Sequence, residues 1–129
     1  MCKMISSKFI YDILNLMLDD ETLDESLSRQ ITFLTDIETV YTDVGVFINF
    51  KNEIEEEFLK IGMNLTFDGV EIQKDELNIL ADAILQVKDG IICQLEIFNK
   101  NGSSFPKEEI KSYVLNQNWK DSKKRTIKN

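Results

Sequence analysis

The chain has 129 residues, a net charge of −8, no histidine and a hydrophobic fraction of 43%, the profile of one folded domain with room for a core. The missing histidine removes the usual general base, the commonest zinc ligand and every Ser-His or Cys-His nucleophile pair. No stretch approaches the roughly 18 apolar residues of a membrane span, and the five glycines are isolated, so no phosphate-binding loop is present.

Met1-Cys2-Lys3-Met4 leads into Phe9-Ile10-Tyr11-Asp12, where the acid interrupts any signal-peptide core, and the expected location is cytoplasmic. Ser7 to Leu18 is expected to be helical. Phe9, Ile10, Ile13, Leu14, Met17 and Leu18 fall on one stripe, and Asp19, Asp20 and Glu21 oppose the dipole at its end. Thr22 and Glu25 have the spacing of a capping box, which starts a second helix running to about Leu34 with Leu23, Leu27, Ile31 and Leu34 buried. The acids from Asp19 to Glu25 lack the glycine and the ligand spacing of a calcium loop.

From Asp36 the period changes to two. Ile37–Tyr41 and Val44–Lys51 read as strands joined by a tight turn at Thr42-Asp43. Residues 53–61 fit a helical turn or a charged edge strand, with the strand favoured. Leu65–Ile72 is a further strand, bent at Asp68-Gly69, and Leu77–Phe98 is a hairpin folded at Lys88-Asp89-Gly90. Ser104 can cap a short helix with Pro106 in its first turn, and alternation from Tyr113 to Trp119 suits a last strand. The expected fold is α+β. Two N-terminal helices pack on a mainly antiparallel sheet of about five to six strands, followed by a short C-terminal helix or strand. Residues 1–119 form the single domain, and Lys120–Asn129 is expected as a flexible basic tail.

The hairpin register decides which side chains share a face. A two-residue Asp89-Gly90 turn pairs Lys88 with Ile91 and mixes apolar with charged residues on each face. A three-residue loop pairs Val87 with Ile91 and places Ala81, Ala83, Leu85, Val87, Ile91, Cys93, Leu95 and Ile97 together. The apolar pattern selects the second. Cys93 is then a buried core residue, and no disulfide with Cys2 is expected. On the outer face Asp82 lies across from Glu96, Ile84 across from Gln94 and Leu80 across from Phe98. Opposed carboxylates are unfavourable in a sheet. They are either solvated, or relaxed by a lysine on the next strand, or a spot that accepts a partner's cation. Without a wider ligand cluster, no metal or other cofactor is expected.

The tail holds five basic residues against Asp121, a net +4, so residues 1–119 carry −12. An acidic body favours basic partners and disfavours nucleic acid and anionic membranes. The basic tail has the composition of an RNA or membrane contact, or of a plain solvated end. Asp82, Ile84, Gln94, Glu96 and Phe98 are the candidate partner-binding residues, an apolar patch with acids set inside it. No catalytic or metal-binding residue is assigned.

Val44-Gly45-Val46-Phe47, Gly69-Val70-Glu71-Ile72, Lys88-Asp89-Gly90-Ile91-Ile92, Leu95-Glu96-Ile97 and Phe105-Pro106 resemble the pattern of small uncharacterised bacterial proteins of immunity-protein type. The resemblance covers Ile37 to Leu115 and implies an α+β binder without catalytic residues. The reading is a cytoplasmic, non-catalytic acidic binding protein that neutralises a basic toxin. The alternatives are a small carboxylate-dependent hydrolase using Asp82 and Glu96, with Glu71 if it faces the same side, and a structural homodimer.

Overall fold

The computed structural model describes residues 5, 7–18, 27, 29–54, 64–108 and 110–117, together with the backbone of Arg125–Lys128. Its first element is helix α1, Lys8–Met17. Ser7 caps it by accepting the Ile10 amide at 3.3 Å, and Phe9, Ile10, Ile13, Leu14, Leu16 and Met17 form its buried side. A short 3₁₀ helix, Gln30–Phe33, leads into strand β1, Leu34–Tyr41. Strands β2 (Gly45–Asn52), β3 (Leu65–Lys74), β4 (Ile79–Lys88), β5 (Ile91–Asn99), β6 (Val114–Gln117) and β7 (Arg125–Lys128) complete the set.

The strands make one antiparallel seven-stranded sheet in the order β1-β2-β5-β4-β3-β6-β7. Helix α1 lies on one face, chiefly against β3 and β6. Two polar ties fix it there: Tyr113 donates its hydroxyl to Asp12 at 2.7 Å, and Gln117 donates to the Leu16 carbonyl at 2.7 Å. Phe9 and Tyr113 add a tilted ring contact with centroids 4.9 Å apart. The core between helix and sheet is built from Ile13, Leu14, Met17, Ile72, Leu85 and Leu95, all fully buried, with their neighbours.

The class is α+β as expected, and the second helix stops short of the expected Leu34: Leu27 and Arg29 are helical, and the rest of that helix lies outside the described residues. The capping box at Thr22–Glu25 lies outside the described residues. Where the second helix was expected to finish, the chain tightens into 3₁₀ at Gln30 and is extended by Leu34. Thr32, Thr35, Ile37, Thr39 and Val40 are β-branched and favour the strand over the helix. Leu27, Ile31 and Leu34 are nevertheless buried. The strand expected at 53–61 lies, from residue 55, outside the described residues.

The short helix expected after Ser104 is also absent from the described residues there. Phe105 and Ile110 are drawn into the core instead, and the Phe105 amide donates to the Asp43 carbonyl at 3.0 Å. Part of the segment expected as a tail, Arg125–Lys128, pairs with β6 as an edge strand.

The β4–β5 register also differs. The turn is the two-residue kind, with Asp89 and Gly90 both in the left-handed region at φ 53° and 81°, so Lys88 pairs with Ile91. A bulge then intervenes. Val87 pairs with Ile92 and Gln86 with Gln94, which leaves Cys93 as the extra residue. Turn preference and apolar pattern are therefore both satisfied, because the extra residue restores the inward phase of Leu95 and Ile97. Ile92 is buried, and Ile91 and Cys93, expected in the core, are only half-buried.

Gln30 holds this bulge in place. Strand β2 pairs with β5 only as far as Asn49 and Gln94, so the backbone around Ile92 needs other partners. The buried Gln30 side chain accepts the Ile92 amide at 2.8 Å and donates to the Gly90 carbonyl at 2.7 Å. Asn52 donates to the same Gln30 oxygen at 2.7 Å. Two amide side chains thus stand in for a missing length of strand.

Candidate functional site

The sheet face turned away from α1 carries all five candidate residues. Asp82, Ile84, Gln94, Glu96 and Phe98 project to the same side, but their partners are not the expected ones. Asp82 pairs with Phe98, Ile84 with Glu96 and Gln86 with Gln94. The two-residue turn and the bulge at Cys93 each shift the pairing by one residue from the expected register, so Asp82 and Glu96 are diagonal neighbours, about 7–8 Å apart along such a ladder, and do not face each other.

The carboxylate that does oppose Asp82 is Glu71 on β3. Lys100, just past the end of β5, relaxes this pair. Its Nζ lies 2.9 Å from Glu71 and 3.1 Å from Asp82. The Lys100 amide donates to the Leu80 carbonyl at 2.8 Å, which carries the pairing one residue beyond the strand and aims the side chain back over the sheet. Its hydrogen bond to Glu71, then that to Asp82, outweighs desolvation and raises the Lys100 pKa above its ordinary value. One ammonium is thus shared by Glu71 and Asp82, so Asp82 already has a cation beside it, whereas Glu96, its proposed hydrolytic partner, lies outside this bridge.

Glu96 is placed differently. Across β2 it pairs with Phe47, and across β4 with Ile84. The side chain is half-buried between them, and among the described residues it makes no hydrogen bond or ion pair. Beside it, Phe98 is 44% exposed, and Val40, the β1 partner of Phe47, is 43% exposed. The neighbour of Phe98 on β2 is Gly45, which has no side chain to cover it. A Cβ there would meet the Ile97 carbonyl oxygen at 1.9 Å, so glycine is required and Phe98 stays bare on that side.

Gln94 belongs to a polar row on the same face. It donates to Asn49 at 2.8 Å, and Asn49 donates to Glu38 at 2.8 Å. This row borders an apolar band of Val40, Phe47, Ile84 and Phe98, with Glu96 set within it. Sequence reasoning missed Phe47 and Val40 as members, although the two-residue alternation of β1 and β2 assigns both to the outer face. It also missed the Lys100 bridge, which depends on a backbone bond beyond the strand end.

Among the described residues no three or more Cys, Asp or Glu side chains gather as a metal site, and no helix is long and apolar enough to cross a membrane. No protein-family model matches the chain, and comparison with curated proteins and with solved structures gives no match.

Proposed function

We propose that the protein is a non-catalytic acidic binder that docks a basic protein partner on the outer face of its sheet, in the manner of an immunity-type protein neutralising a basic toxin in the cytoplasm. The observation that carries this reading is Glu96. It is a carboxylate held half out of water between Phe47 and Ile84, with no cation beside it among the described residues, next to an exposed Phe98. Partial desolvation makes an unpaired charge costly, and a lysine or arginine from a partner removes that cost. Aromatic anchors next to such a pair are the usual centres of binding energy.

The charge of the whole chain acts in the same direction. Residues 1–119 carry −12, which steers cationic partners and speeds their association. The resemblance of the strand and turn segments to immunity-type proteins agrees with this role. The same acidity works against a homodimer joined through this face, since two copies would set like charges together. A hydrolase gains no support from Asp82, which Lys100 occupies.

Affinity capture from the native cell, followed by mass spectrometry, tests the reading. The native bait should retain a basic protein that Glu96→Lys and Phe98→Asp baits lose. Retention of the same protein by all three baits would refute the outer face as the docking surface.

A further inference from the structure

On the opposite face, a cleft of about 210 Å³ opens between the start of α1, strand β1 and the 105–110 segment. Helix α1 packs chiefly on β3 and β6, and the cleft lies beside its first turn, over β1 and β2. Its floor is apolar, formed by Val46, Ile48 and Ile97 from the sheet and Phe105 from that segment. Its remaining polar lining is Ser7, Asp36, Thr39, Tyr41 and Glu108, with no lysine or arginine among the described lining residues.

We propose that this cleft binds a small primary amine carried on an apolar body, such as a single aromatic ring on a short chain. The inference is independent of the partner-binding reading, which concerns the other face of the sheet. An apolar floor selects an apolar body, and the cleft is smaller than the roughly 300–1,000 Å³ of drug-sized pockets, so the body is small. The rim supplies carboxylates, which only accept hydrogen bonds, and hydroxyls, which accept as well as donate. A cationic donor complements such a rim, whereas an anion meets like charge. Ser7 already caps α1, and Asp36 has an interaction of its own. Glu108 is therefore the recognition group, and Thr39, exposed on the edge of the rim, controls entry.

Titration of the full chain with phenethylamine, followed by amide chemical shifts, tests this. Phenethyl alcohol and 3-phenylpropionate serve as the neutral and anionic controls. Phenethylamine should shift the amides of Thr39, Tyr41, Ile48 and Glu108, and should bind up to about fivefold tighter than the alcohol, since Glu108 is exposed. The carboxylate should bind weakest. Glu108→Gln should abolish the preference for the amine, and Thr39→Trp, an exposed change that leaves the core intact, should block all three compounds. Equal binding of amine and alcohol, shifts mapping to Phe47, Asp82 and Phe98, or unchanged binding in both variants would each overturn the assignment.

Discussion

The side-chain oxygen of Gln30 accepts the Ile92 amide at 2.8 Å across 62 residues of sequence. This bond, with those to Gly90 and Asn52, completes the β5 backbone where β2 no longer reaches it. It ties the 3₁₀ segment before the sheet to the turn that sets the phase of β5, and hence to the positions of Glu96 and Phe98.

Gln30→Leu should consequently be among the more damaging polar-to-apolar changes. It leaves the Ile92 amide and the Gly90 carbonyl buried without partners, at about 1–3 kcal/mol each. Urea unfolding should show a loss of about 2–5 kcal/mol. A loss below about 1 kcal/mol would mean that water or a local shift replaces the amide.

Leu95 and Glu96 are adjacent but face opposite ways. Leu95→Ala should cost about 2–5 kcal/mol, since the side chain is fully buried. Glu96→Gln should stay within about 0.5 kcal/mol, because Glu96 has no bond to lose among the described residues. Comparable losses from the two, measured by the same unfolding curves, would show that Glu96 supports the fold.

Most of this architecture was legible in the sequence. The stripe from Phe9 to Leu18 specified α1, and alternation located β1, β2, β3 and the hairpin strands, with the bend at Asp68-Gly69 appearing as a register shift between Phe67 and Val70. The inward phase of Ala81, Ala83, Leu85, Leu95 and Ile97 was also recoverable, because a half-buried strand repeats every two residues. The pairing was not. Turn chemistry and apolar pattern demanded different registers, and the bulge that reconciles them relies on Gln30, which local pattern cannot connect to Ile92. For the same reason the five outer-face residues were recovered as a set, while Asp82 was given the wrong neighbour and Lys100 was not anticipated.

Lys100 makes stability depend on pH at the alkaline end. Folding favours its ammonium form, so its folded-state pKa is above the ordinary 10.5. Its contribution is full below the ordinary value and is lost as pH rises through the raised one. The stability gap between the native chain and Lys100→Met should therefore be flat near neutral pH and narrow above about pH 10.5. A gap that widens there would contradict the bridge to Glu71 and Asp82.

Cys93 offers a chemical test of the bulge. It is half-buried, and desolvation raises its thiol pKa despite the nearby Lys88 charge. In a Cys2→Ser background, alkylation at neutral pH should proceed, but more slowly than in urea, and should accelerate well above pH 9. Complete protection would place Cys93 in the core and remove the bulge.

The most direct test of the account is the association rate of the captured basic partner as salt is varied. With the native chain the rate should fall steeply between low and physiological ionic strength, where screening shortens to about 8 Å. Glu96→Lys should slow association and flatten that dependence, and Phe98→Ala should mainly speed dissociation, with both variants as stably folded as the native chain. A rate indifferent to salt, with affinity unchanged in both variants, would contradict binding through the outer face of the sheet.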